Sequence, residues 1–102
     1  MDRRLNLQTE LEELLGSRNV YFQPPESKKL EYPCIIYNRT GFDTRYGDNK
    51  VYNAKVAYDV MVIDKDPDSD LVEKILFHFP LIHHSRHYTV DNLNHDAFYL
   101  YY

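Results

Sequence analysis

Residues 51–63, VYNAKVAYDVMVI, decide the fold. Tyr52, Ala54, Val56, Tyr58, Val60 and Val62 are apolar, while the positions between them begin with Asn53, Lys55 and Asp59. A period of two is the mark of a strand with one buried face. The other face turns apolar at Met61 and Ile63, so this end is expected to run beneath a helix or into a contact with another subunit. At about 3.4 Å per residue the stretch is long for a strand, and part of it is expected to stand clear of the domain.

Working back toward the N-terminus, GFDTRYGDNK (41–50) holds two of the three glycines together with Asp and Asn, the composition of an exposed turn or long hairpin tip. CIIYNRT (34–40) has strand character, and PPESKKLEYP (24–33) is a loop because its prolines fix φ and remove donors. NVYFQ (19–23) is a short strand. Before it, Leu7, Leu11, Leu14 and Leu15 form one stripe of a helix, with Glu10, Glu12 and Glu13 on the other side and Gly16 as its stop. Arg3 and Arg4 lie at the positive end of that helix, where cations are mildly unfavourable, and are expected to be solvated.

Toward the C-terminus, Leu71, Val72, Ile75, Leu76 and Phe79 give a second amphipathic stripe closed by Pro80. RHYTV (86–90) and HDAFYLYY (95–102), separated by DNLN, form a final hairpin in which Phe98, Leu100 and Tyr102 alternate into the core. The sum is a single α+β domain over residues 1–102: a mainly antiparallel β-sheet with two α-helices packed on one face. No internal repeat, low-complexity tract or dividing linker interrupts it.

The chain has 102 residues, 43% hydrophobic and 27% charged, as one ordinary globular domain does. A domain of this size has little stability in reserve, so association would help it. Ten Tyr and five Phe against no Trp suit a sheet face or an interface. A net charge of −4 with no basic run beyond Arg3-Arg4 and Lys28-Lys29 argues against nucleic-acid binding. One cysteine excludes an internal disulfide, and MDRRLNLQTELEELLG is too polar for a signal peptide or membrane span, so a reducing cytoplasm is expected.

Asp64, Asp66, Asp68 and Asp70 invite a cation-binding reading. A calcium loop starting at Asp64 needs Gly at its sixth position and Glu at its twelfth, and Ser69 and Ile75 stand there. A helix start explains the ladder better, with Asp66 as cap, Pro67 in the first helical position, and Asp68, Ser69 and Asp70 complementing the dipole. His83, His84 and His87, with His78 and His95 to join them, lack a convergent thiolate or carboxylate in sequence and are expected in a surface loop. No glycine-rich elbow surrounds Ser17, Ser27, Ser69 or Ser85, and Cys34 reads as a small buried apolar residue. No catalytic residue, metal ligand or cofactor is assigned, and an enzyme is not expected.

The motifs VYFQPP, YPCIIY, DNKVY, YDVMVIDKDPDS and DNLNHDAFYLY, spread over residues 18–101, resemble those of the tail terminator proteins of long-tailed bacteriophages. This resemblance implies a virion protein that forms a ring, typically a hexamer, on the last ring of the tail tube. Such a ring stops tube polymerisation and offers a head-joining surface at the head-tail junction, after assembly in the bacterial host cytoplasm. The implied partners are copies of the same chain, the tail tube protein and a head-closure or connector protein. DNA would pass through the lumen without specific binding, past a ring of six copies each carrying −4. Arg45, Tyr46, Asp48 and Lys50 on the hairpin tip, with Met61 and Ile63, are the expected subunit or tube contacts. Three alternatives stand beside it: a head-closure or connector protein of the phage neck, a regulatory adaptor, and a small metal-dependent enzyme using the aspartate ladder and the histidines.

Overall fold

The computed structural model describes residues 2–47 and 50–102, and the side chains of residues 3–42 and 55–102. The elements run α1 (Asp2–Leu15), β1 (Val20–Phe22), β2 (Cys34–Gly47), β3 (Lys50–Asp64), α2 (Leu71–His78), β4 (Ile82–Val90) and β5 (Leu93–Tyr101). They build a five-stranded sheet of order β1-β2-β3-β5-β4, with both helices on one face, as the periodicities require. Every neighbouring pair is antiparallel except β1 and β2, which run parallel. The return between those two is the loop 23–33, which brings Lys28 to 5.2 Å from the Tyr21 ring centroid. Tyr21 alternates with Val20 and Phe22, so this loop returns on the side away from the helices.

The core is the layer between helices and sheet. Leu7 and Leu11 from α1, Leu71 and Ile75 from α2, and Phe79 just beyond it meet Ile35, Tyr37, Tyr58, Val60, Val62, Phe98 and Leu100. Those strand residues are the even face of β3 and its matches in β2 and β5, so Phe98 and Leu100 reach the core as expected and Tyr102 packs against it. Full burial of each such aliphatic side chain contributes about 1.5–3 kcal/mol. Gly16 ends α1 at φ +82°, a conformation in which a Cβ would be strained.

Four expectations need correction. Residues 41–47 continue β2, because pairing with β3 extends to Gly47 and Lys50, so of the two readings of 41–50 the long hairpin holds and the exposed turn does not; Asp48 and Asn49 lie outside the described residues. The second helix starts at Leu71 and not at Pro67. The Asp64 and Asp66 carboxylates instead accept the backbone N–H groups of Asp66 (3.0 Å) and Asp68 (2.9 Å), so the ladder is spent on successive turns leading into the helix. Asp70 occupies the cap position without a side-chain cap bond, and Leu71 N–H donates to Ser69 Oγ at 3.3 Å. His83 and His84 sit within β4, which begins at Ile82 because Tyr99 and Leu100 offer it partners. The last hairpin turns at Asp91 and Asn92, both at positive φ, and β5 starts at Leu93.

The fourth concerns Arg4. It is held inward, its Nη1 donating to the Tyr37 hydroxyl at 3.1 Å and its guanidinium lying 4.5 Å from the Phe22 ring centroid. Packing across the sheet edge overrides the unfavourable dipole term.

Candidate functional site

The part of the molecule that distinguishes it from a plain five-stranded body is the outer half of the β2–β3 hairpin. β1 covers β2 only over Ile35–Tyr37, and β5 covers β3 only over Ala57–Asp64. Beyond Phe42 and Val56, whose carbonyl still accepts the Tyr102 backbone N–H at 3.0 Å, the hairpin is a two-stranded arm that runs to Gly47 and Lys50 with no third strand beside it among the described residues. This bears out the expectation that part of the long strand stands clear. Five or six residues of strand reach roughly 17–20 Å, and the molecule measures 51 × 25 × 22 Å. Arg45, Tyr46 and Lys50 lie along this arm by backbone position, their side chains outside the described residues, and Asp48 lies outside the described residues altogether.

At the root of the arm the strand pairing slips between Arg39 and Gly41, leaving Thr40 as a bulge whose hydroxyl donates to the Ala57 carbonyl at 3.1 Å. The slip changes the side-chain parity of β2. Arg39 pairs with Tyr58 and Phe42 with Val56, so both residues turn to the helix face. Phe42 there meets no helix and is 66% exposed, and Leu5 on the first turn of α1 is 53% exposed. Both line a mainly apolar cleft of about 430 Å³ to which Phe22, Val56 and Tyr58 also contribute, with Arg3, Arg4 and Arg39 in its wall. Alternation alone would have put Phe42 on the opposite face; no local signal in the sequence marks the bulge.

Met61 and Ile63 lie on the sheet face away from the helices. Ile63 is buried by its own chain opposite Cys34, whereas Met61 is half-buried beside Ile36 and Ala97 on an uncovered face. The described residues expected as contacts are thus not one patch: Arg45, Tyr46 and Lys50 belong to the arm, Met61 to the open sheet face and Ile63 to the interior.

The titratable groups gather in two places. Asp96 Oδ1 accepts hydrogen bonds from His84 Nε2 at 3.0 Å and His87 Nδ1 at 2.9 Å, a convergence produced by the second slip in pairing, at Ser85. Both donors point at one oxygen, so the arrangement satisfies a half-buried carboxylate. Among the described residues no group of three or more His, Cys, Asp or Glu side chains could hold a metal ion. The second cluster ties the helices to the end of the sheet: His78 Nε2 lies 2.7 Å from Glu10 Oε1, and the Tyr102 hydroxyl donates to Glu10 Oε2. Burial raises the Glu10 carboxyl, but the bonds from Tyr102 and His78 outweigh it and hold the group below its ordinary value. Burial together with Glu10 pushes the Tyr102 phenol up to about 12. Cys34, fully buried, is pushed up to about 11 by burial and by the charge of Asp64, the reverse of an activated nucleophile.

No described helix is long and apolar enough to cross a membrane. No family model matches the chain, and no curated protein is significantly similar to it.

Proposed function

We propose that this chain is a structural subunit of a long-tailed phage, a tail terminator that assembles as a ring on the end of the tail tube, halts its polymerisation and offers the surface to which the head joins. The observation that carries this reading is the two-stranded arm, which beyond Val56 extends past the five-stranded body with no strand paired to either outer edge among the described residues. A protein that acts alone gains nothing from an arm with open edges; one that acts by assembly can lay it along a neighbour or against a tube end. The resemblance of residues 18–101 to tail terminators supports the same reading. The arm, with Arg45, Tyr46 and Lys50 along it and Asp48 adjacent to them in sequence, is the element that engages the adjacent subunit or the tube, and the work is done by surfaces without a bond made or broken.

The test is electron microscopy of tails assembled with the protein, without it, and with a variant in which residues 43–54 are replaced by a short turn. Tubes of uncontrolled length in its absence, and equally with the armless variant, are the expected result. Tubes of normal length that fail to join heads would make it a head-closure protein. Normal length and joining with the armless variant would remove the role given to the arm.

A further inference from the structure

Two separate surface features have complementary chemistry, an apolar cleft with arginines in its lining and an exposed aromatic ring with an acidic neighbour. The first is the cleft at the root of the arm, lined by Phe22, Val56, Leu5 and Phe42, with arginines in its wall. The second is Phe77 on α2, which at 86% exposure is the most exposed large hydrophobic side chain among the described residues. Glu73 lies one helical turn before Phe77 on the same face. Lys74 beside it is engaged by Asp70 at 3.6 Å, so the surroundings of the ring are net acidic.

The two features are not in contact within one chain. α2 packs on α1 and toward β4, and His78 at its end bonds Glu10 in the middle of α1, whereas the cleft lies at the first turn of α1, by Arg3, Arg4 and Leu5. Phe77 does not line the cleft of its own chain and stays 86% exposed.

We propose that Phe77 of one copy seats in the arm-root cleft of the next copy, with Glu73 facing its arginines, as the head-to-tail contact between subunits. An exposed phenylalanine ring and an open apolar cleft are each unfavourable in water, and burying one in the other removes both from it. Arg4 is already fixed by the Tyr37 hydroxyl and the Phe22 ring, so part of the wall is ordered before a carboxylate arrives. The two surfaces differ, so the contact is heterologous: a pair keeps one unused ring and one unused cleft, and successive copies form a closed ring or an open filament. Closure into a ring rests on the tail reading given above; the pairwise contact does not.

The test uses the full chain with two substitutions at exposed positions, Phe77→Asp and Phe42→Asp, which leave the core intact. In sedimentation equilibrium carried up to the solubility limit, the wild type forms multimers, and each variant alone is weakened in self-association by more than about tenfold. An equimolar mixture of the two recovers a one-to-one pair and nothing larger, because only one intact junction can form. As a second measurement, a Phe77→Cys chain mixed with a Phe42→Cys chain under mild oxidation gives crossed dimers in excess over like-with-like dimers. A wild type that stays monomeric with no excess of crossed dimers overturns the contact, as does multimerisation that both Asp variants leave unchanged. The two readings fail separately. Normal pairing with no effect of the protein on tail length removes the terminator role and leaves the contact, whereas Phe77→Asp controlling tail length as the wild type does removes the contact and leaves the role.

Discussion

The Tyr37 hydroxyl donates to Oε1 of Gln8 at 2.5 Å, a bond from the second strand to the first helix. The same hydroxyl accepts from Arg4, and Gln8 Nε2 donates onward to the Val20 carbonyl at 3.0 Å, so one buried phenol ties α1 to both β1 and β2. Replacing Tyr37 by Phe keeps the ring packed against Phe22 and Tyr58 and removes only the oxygen. Loss of about 1–3 kcal/mol in denaturant unfolding, with unchanged far-ultraviolet dichroism, is expected, because the Gln8 and Arg4 groups lose their partner.

The arm can be removed without loss of the body. Every described core residue lies in the helices or, as Phe79, just after the second, in β1, in the part of β2 and β3 covered by other strands, or in the last hairpin. Excising residues 43–54 and closing with a turn should change unfolding free energy by less than about 1 kcal/mol, since shortening a connection has only a small entropic effect. A drop of several kcal/mol on thermal unfolding would mean that the arm is part of the folding unit.

Cys34 should be silent to thiol reagents in the native protein at neutral pH. It is fully buried and its thiol is pushed up to about 11, so almost no thiolate is exposed to react. One equivalent should titrate only after unfolding, and a fast reaction of the folded chain would contradict the placement of Cys34.

Stability should fall at both ends of the pH scale for identifiable reasons. Glu10 has a lowered folded pKa, so its contribution is present above the unfolded carboxyl value and is lost as pH falls through the folded one. Tyr102 is raised from 10.0 to about 12 and Cys34 from 9.0 to about 11, so both favour the folded state at lower pH and lose that contribution as pH rises from about 9 to 12. Glu10→Gln should flatten the acid limb of a plot of melting temperature against pH, and Tyr102→Phe the alkaline limb. An unaltered profile in both variants would sever the link between this cluster and the stability curve.

Much of this molecule was written in local patterns. The alternation in residues 51–63 placed Tyr58, Val60 and Val62 in the core, and the spacing of Leu7, Leu11, Leu71 and Ile75 placed two helices over one face. Both signals are properties of a single element, period two in a strand and near four in a helix, and need no partner to be read. The departures come where partners decide. β4 begins at Ile82 because β5 offers it edges to bond, and Arg4 turns inward because Tyr37 and Phe22 are there to receive it. The aspartate ladder was given to the helix start, whereas its carboxylates bond two residues ahead and make turns that lead into it.

The sequence by itself determined the helices, the buried face of the long strand and the class of fold, because burial of an apolar face is encoded at fixed spacing along the chain. Long-range pairing set the rest: β1 joins β2 in parallel, β5 lies between β3 and β4, and bulges at Thr40 and Ser85 turn Phe42 to the helix face at the cleft and bring His87 beside Asp96. A slip of one residue in pairing reverses which face every following side chain occupies, and that slip is set by the neighbouring strand.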